Sequence, residues 1–459
     1  MKRKKIVMVG GGSNAWAPNI IKDMLLTESI KDSEFVLYDI NKKASDLTRD
    51  FLTELNTRHL HAPATFISTN DRRKAFRKAD YIIITISTGG LKTMAQDLSI
   101  PEKYGIYHTV GDTSGPGGWA RLLRNFEVFR KMALDINHLA PGAMILNYTN
   151  PMTTLTTVLS RICEGPVVGL CHGLFSNLEF FKQVYKLRDE NEIAVKYAGV
   201  NHFFWITAAK AGSRDVMADL RRRIKHTSIT KIIRASISDP MGFHSNCELA
   251  TELFRTTGFM PYLGDRHTCE FIPGYITSRP NMKKYRIVRT SIKERQDGFN
   301  QRERRLRVMV SRLGGKGASD RNWIEKHMNE YLERSRETAA DIIAAHSSGQ
   351  SFIDVGNLPN IGQISNLPLG VVVETAMRVD RNGFTPLTFG PLPEPIHGLV
   401  APWPIVFGMT VDACFRRDKE MALQALRLDP VCSHLNTQQV REMGERLMHA
   451  HAAYLPAFR

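Results

Sequence analysis

Five polar clusters in this chain carry the residue types that do chemistry. They are Gly111-Asp112-Thr113-Ser114-Gly115-Pro116-Gly117-Gly118, Asn147-Tyr148-Thr149-Asn150-Pro151-Met152, Cys171-His172-Gly173, Gly199-Val200-Asn201-His202 and Gly264-Asp265-Arg266-His267. They fall at the ends of segments that read as strands, where open α/β sheets present their ligands. Taken singly, each has a structural reading as well. Cys171 could be a buried cysteine ending a strand, and His202 a satisfied core histidine. Asp112 could order a glycine-rich loop, and Asp265 could pair with Arg266 or His267.

A sixth feature is more specific. Lys5-Ile6-Val7-Met8-Val9 is an apolar run that feeds directly into Gly10-Gly11-Gly12-Ser13, ahead of a helical stretch. This is where a dinucleotide-binding turn belongs. Glycine at 10 permits the tight turn, and glycine at 12 lets backbone N–H groups approach a pyrophosphate at the helix start. The third fingerprint position is Ala15, a tolerated replacement. Asp39 closes the next apolar run, placed to accept hydrogen bonds from ribose hydroxyls and to repel a 2′-phosphate. That carboxylate selects NAD over NADP.

The elements that must position these residues can be read from the hydrophobic pattern. Ile6–Val9, Glu34–Tyr38, Tyr81–Ile86, Met144–Tyr148 and Val167–Cys171 read as strands. Pro18–Thr27, Lys42–Arg58 and Gly118–Asn137 read as helices between them, and Ser68-Thr69-Asn70-Asp71 caps a further short helix. Uniformly apolar strands alternating with helices predict a doubly wound, Rossmann-like parallel sheet covered on both faces. Beyond about residue 195 the pattern changes. The segment from Lys196 to Ala209 reads as one strand, and Asp215–Lys225, Ser319–Ala345 and Thr437–Ala453 as helices, around a Gly/Pro/Asn-rich stretch from Gly356 to Leu369. The expectation is a nucleotide domain over 1–195 and a mixed α/β catalytic domain over 196–459.

Composition bounds the partners. The 459 residues carry 62 Lys and Arg against 46 Asp and Glu, a formal charge of +16. No nucleic-acid signature accompanies the excess; the densest basic stretch runs from Lys283 to Arg321, and within it Gln301–Val310 reads as an amphipathic helix with a solvated basic face. An anionic small molecule is the economical use of that field. No apolar run approaches the roughly 18 residues of a membrane helix. The basic start Met1-Lys2-Arg3-Lys4-Lys5 lacks the apolar region of a signal peptide, so a cytoplasmic enzyme without membrane or nucleic-acid partners is expected. Six cysteines without a C-x-x-C pair suggest reduced thiols.

Over nearly its whole length the chain resembles glycoside hydrolase family 4, the NAD- and divalent-metal-dependent glycosidases. The resemblance runs through the Gly10–Ser13 turn, the Asp112–Gly118 loop, Asn147–Met152, Cys171–Gly173, Asn201–His202 and the stretch Asn357-Leu-Pro-Asn360-Ile-Gly362-Gln-Ile-Ser-Asn366-Leu-Pro368. It implies a lactate/malate dehydrogenase-like fold and a divalent metal, usually manganese, on Cys171 and His202. It also implies an elimination–addition assisted by redox chemistry, unlike displacement by two carboxylates. In it the sugar is oxidised at C3 by NAD, loses its C2 proton and then its glycosidic oxygen, adds water and regains the hydride. Asp112 is then the candidate acid and Asp265 the candidate base, where some subgroups use a tyrosine. Gly10, Gly12, Ser13, Asn14, Asp39, Ser87 and Asn147 are the candidate cofactor residues, and Asn150, His172, Asn201 and Arg266 the candidate substrate residues.

Cys171-His172-Gly173 and Gly264–His267 look like the uronidase members, α-glucuronidases and α-galacturonidases. Arg266 suits a C6 carboxylate through paired charge-assisted hydrogen bonds. The resemblance further suggests a homodimer or homotetramer. The competing readings are a neutral α-glucosidase or α-galactosidase of the same family, a metal-free 2-hydroxy acid dehydrogenase of the lactate/malate type, and a catalytically idle NAD-binding sensor.

Overall fold

The computed structural model describes residues 3–236, 246–313, 331–455 and 457–458. Its strands are β1 (Lys5–Val9), β2 (Glu34–Tyr38), β3 (Thr65–Thr69), β4 (Tyr81–Ile84), β5 (Met144–Asn147), β6 (Val167–Gly169), β7 (Ile193–Val200), β8 (Phe203–Ala211), β9 (Arg214–Asp215), β10 (Met260–Pro261), β11 (Phe352–Pro359), β12 (Val372–Asp380) and β13 (Gly383–Pro386). Among the described residues these thirteen form one sheet in the order β10-β8-β7-β12-β11-β6-β5-β4-β1-β2-β3, with β13 beside β12 and β9 beside β8. The six strands from β3 to β6 pair in parallel, in the order 3-2-1-4-5-6 of a dinucleotide-binding fold. From β6 onward the pairing is antiparallel.

Composition explains the placement. β4 and β5 are buried along their whole length, so they lie in the middle with helices on both faces. One face packs on Gly115–Leu139, Met152–Ile162 and Pro402–Arg416, and the other on Ala17–Leu25, Lys42–Leu55 and Ala339–Ser348. A third cluster lies under the antiparallel half, against Gly173–Tyr185, Val216–Ile224 and Glu248–Thr257. β3, with Ile67 45% exposed, is an edge strand, and its polar, half-wet sequence hides it from a hydrophobicity reading.

The register does the positioning. Thr69, Tyr38, Val9, Ile84, Asn147, Gly169, Asn357, Glu374, Gly199 and Phe204 stand side by side across ten strands, each paired to the next. Gly10, Asp39, Cys171, Asn201 and His202 all follow within two or three residues of that row. Segments from both halves of the chain therefore meet along that row, and β7 carries the chain across residue 195.

Three expectations are corrected. The strand read from Lys196 to Ala209 is a hairpin of β7 and β8 turning at Asn201-His202, with His202 at φ 64°. Asparagine and histidine tolerate that left-handed conformation more readily than most residues. The helix expected over Ser319–Ala345 is interrupted: residues 319–330 lie outside the described residues, Tyr331 and Leu332 are helical, and after the non-helical 333–338 a new helix begins at Ala339. Ahead of it Ser335 bonds Asp23 and Glu337 bonds His172. Lastly, Glu394–Arg416 is long and apolar enough by composition to cross a membrane, against the expectation of no such run. It is two helices, Glu394–Val400 and Pro402–Arg416, and its residues Ile396, Val400, Trp403, Val411 and Cys414 lie in the protein core.

Candidate active site

At the nucleotide turn, the N–H groups of Gly10 and Gly11 both donate to Tyr38 O at 2.9 Å, binding the turn to β2. Gly10 has φ 89°, and a Cβ there would stand 2.0 Å from Thr85 O, so no larger residue fits. Asp39 accepts the Gly12 N–H at 2.9 Å and the Asn41 N–H at 2.8 Å, which fixes its carboxylate between the glycine turn and the next helix. Ser13 Oγ accepts the Trp16 N–H. Asn14 turns away to the helix Ile292–Leu313, donating to Phe299 O and accepting from Arg302 Nε. Ser87 is reached by Arg121 at 3.5 Å. Asn147 is buried and spends its amide on Thr149 and Thr156, holding the loop that leads to Asn150.

Farther along the edge, the side-chain ligand atoms of Asp112, His202 and His267 lie within 4.8 Å of one another. Each is delivered differently. His202 sits at the β7–β8 turn. His267 projects from the one-turn helix Asp265–Thr268, with its ring 3.9 Å from that of His202. Asp112 rides on a loop organised by buried Glu270, whose carboxylate accepts the N–H groups of Thr109, Val110 and Gly111 at 2.7–3.0 Å and pairs with His108. Burial would raise Glu270, but His108 and these N–H donors bring it below the usual carboxylate range.

The electrostatics suit a cation. Burial works to raise Asp112, yet His267, Arg121 and His202 outweigh it and hold the carboxyl well below its ordinary range. Burial pushes both imidazoles down, His202 strongly, so each is neutral near pH 7. Thr113 Oγ1 stands 2.8 Å from Asp112 Oδ1 and 2.8 Å from His202 Nδ1. An anionic Asp112 can only accept, so the Thr113 proton goes to it, and His202 must then donate Nδ1–H to Thr113. The Nε2 lone pair is left for a metal. Asp112, His202 and His267 are thus an N₂O donor set of two neutral imidazoles and one carboxylate. His267 Nδ1 is buried without a hydrogen-bond partner, so the donor set is primed for a ligand.

Cys171 stands beside these three rather than among them. Its Sγ accepts the Gly173 N–H at 3.4 Å, and burial, followed by the charge of Glu374, pushes the thiol up to about 12. Its neighbours are buried too. Asn201 and Asn357 both donate to Glu374, whose carboxyl burial pushes up to about 7. Asn150 donates to Asp112 at 3.4 Å. The carbonyl oxygens of Asn150 and Asn201 are buried and unbonded, two acceptors awaiting donors. His172 stacks on Trp16 with ring centroids 5.1 Å apart and pairs with Glu337. Asp265 uses its two oxygens on the N–H groups of Leu249 and Ala250, at the start of the helix Glu248–Thr257. Burial pushes its carboxyl up to about 7. Arg266 bonds Thr290 through Nη2, and its Nε is buried without a partner.

The structure therefore gathers Asp112, Asn150, Cys171, His202 and Asn201 at one place and sets Asp265 as a helix cap beside it. Sequence reasoning missed His267, Thr113 and Glu374 as parts of the site. His267 lay within a recognised cluster, but only the fold brings its ring to His202. Glu374 sits inside an unremarkable strand, and only its register opposite Gly199 and Asn357 reveals it.

A model described as family 4 glycosyl hydrolase matches residues 5–187, and one described as family 4 glycosyl hydrolase C-terminal domain matches residues 197–432. An alpha-galactosidase of Bacillus subtilis is 32% identical over 463 residues, covering 99% of this chain and all of that protein. An alpha-galacturonidase of the same organism is 31% identical, covering 93% of each. A 6-phospho-alpha-glucosidase from gut microorganisms, solved in complex with NAD and Mn2+, superposes over the full length of both chains with a TM-score of 0.81 at 20% identity.

Proposed function

The chain belongs to family 4 of the glycosyl hydrolases and is a glycosidase, and we propose that it cleaves α-linked hexuronides with the help of NAD and a divalent metal. Membership sets aside the plain dehydrogenase and the idle sensor. NAD is placed at the Gly10–Ser13 turn with Asp39 toward the ribose, where it supplies a reversible hydride acceptor. The metal, Mn2+ by preference, is placed on Asp112, His202 and His267, with the Cys171 thiol as a further donor once its proton is displaced; bound there it acidifies hydroxyls and polarises a carbonyl.

The chain's own residues do the rest. Thr113 fixes the His202 tautomer. Asn150 and Asn201 hold buried amide oxygens ready to accept from sugar hydroxyls. Glu374, titrating near neutrality, can take up or release a proton without leaving its two amide donors. Asp112 is proposed here as a charge-holding ligand and Asp265 as the anchor that aims His267, in place of the acid and base roles expected from the sequence.

The uronide assignment is carried by one observation. The Arg266 guanidinium lies within electrostatic range of His267 and Tyr262 and keeps a buried, unpartnered Nε. A neutral sugar offers that nitrogen only a hydroxyl, whereas a C6 carboxylate meets it with full charge. The 31% identity to an alpha-galacturonidase supports the same reading. A neutral α-galactoside is the second reading, favoured by the 32% identity to an alpha-galactosidase. The test is turnover of p-nitrophenyl α-galacturonide, α-glucuronide, α-galactoside and α-glucoside with NAD, Mn2+ and a thiol reductant. Hydrolysis of one or both uronides is expected; turnover confined to the neutral sugars would overturn the assignment.

A further inference from the structure

Arg295 lies on the helix Ile292–Leu313 and had no part in the sequence reading. Its Nη2 donates to Val110 O at 3.2 Å, and its Nε is buried without a partner. Arg266 reaches the same loop one residue earlier: its carbonyl accepts from Thr109 Oγ1, and its guanidinium bonds Thr290, whose own N–H donates to Thr109 O at 3.1 Å. The Arg295 guanidinium thus holds Val110 and the Arg266 backbone holds Thr109, just ahead of Asp112, and Arg295 lies near enough to Arg266 to feel its charge.

Two guanidinium groups near enough to repel, each with a buried Nε–H that lacks an acceptor, call for an anion between them. The carboxylates nearby are already engaged. Glu270 is saturated by His108 and three backbone N–H groups, and Glu294 caps its own helix through Ser291. Asp112 faces both Arg295 and the two histidines, and its charge is shared with them. What remains is a pair of buried guanidinium N–H donors without acceptors, beside one loop. That is the complement of a carboxylate rather than a hydroxyl.

The helix is anchored for the task. Arg295, Phe299 and Arg302 are spaced four and three apart and share one face, and the latter two hold Asn14 of the nucleotide turn. The same helix face therefore touches the cofactor turn and carries one of the two donors.

We propose that Arg295 is a specificity-determining residue which, together with Arg266, grips the C6 carboxylate of a hexuronide. This rests on the uronide reading above. The experiment compares kcat/KM for p-nitrophenyl α-galacturonide and α-galactoside in the NAD- and Mn2+-loaded wild type, Arg295→Gln and Arg295→Lys. Loss of charged hydrogen bonds should lower the uronide-to-galactoside ratio about 10- to 100-fold in the Gln variant, mainly through KM. Lysine, a point charge without the fork, should restore part of it. A ratio unchanged in a wild type that prefers the uronide, or a parallel fall for both substrates, overturns the clamp alone. A wild type indifferent to the carboxylate overturns the uronide reading beneath it. If the Gln variant does not fold, inhibition by D-galacturonate against D-galactose in the wild type and the Lys variant decides in the same way.

Discussion

The hydroxyl of Thr113 holds the protonation of the proposed metal-binding trio in order. It stands 2.8 Å from both Asp112 and His202, has one proton, and gives it to the anion. Removing it frees the His202 ring to adopt either tautomer and to rotate. Support of this kind behind a ligand is worth about 10- to 100-fold in metal affinity or activity. Thr113→Val should therefore raise the Mn2+ concentration needed for half-maximal activity by that order, while Thr113→Ser stays close to wild type. Equal Mn2+ dependence in all three would remove Thr113 from the role. Part of this chemistry was legible in the sequence. Cys171, His202 and Asn201 sit in glycine-flanked clusters at strand ends, and Asp112 in a glycine-rich loop between the helices Gly90–Glu102 and Gly115–Leu139, where chain geometry already advertises a site. Thr113 carries no signal of its own in the sequence and Asp265 reads as a base, because a hydroxyl's two partners and a carboxylate's two backbone donors exist only after folding.

Among the elements, the parallel half was readable and the hairpin was not. β1, β2, β4, β5 and β6 are short apolar runs whose burial on both faces forces their composition. The run from Lys196 to Ala209 is just as apolar, so hydrophobicity gives no warning that it doubles back at Asn201-His202. Short segments ended by buried carboxylates behave similarly, as at Asp429. Its side chain accepts the Val431 N–H at 2.9 Å, just after the helix Lys419–Leu428. Burial pushes its carboxyl up from 3.8 to about 7. The sign is that of a raised acid. Between about pH 4 and pH 7 the unfolded chain has released this proton and the folded chain has not, so this carboxyl lowers stability progressively as pH rises through that window. Above pH 7 its cost is constant, on the order of 4 kcal/mol at most. Asp429→Asn keeps the acceptor and removes the titration. Its stability relative to wild type should therefore improve from pH 4 to pH 7 in parallel denaturant series. A difference independent of pH would mean that Asp429 does not titrate in this window.

At the scale of the molecule, the 1–195 and 196–459 halves are distinct in sequence pattern but share a sheet and a core. Val7, Trp119 and Leu155 pack in the same buried cluster as Phe203, Trp205, Trp403 and Met443. β6 pairs with β11 directly, Gly169 opposite Asn357, so no seam of open strand edge separates the halves. Such continuity couples their unfolding, whereas independently folded units would melt separately. Calorimetry of the ligand-free protein should then give one transition. NAD, proposed to bind the first half, should raise the whole of it, by about 2.7 kcal/mol at a hundredfold excess over its dissociation constant. Mn2+ should raise the same transition, and a chelator should remove only that second increment. Two transitions, with NAD moving just one, would show that the halves fold apart. The row of residues from Thr69 to Phe204 would then be a docked interface between them rather than the spine of one cooperative unit.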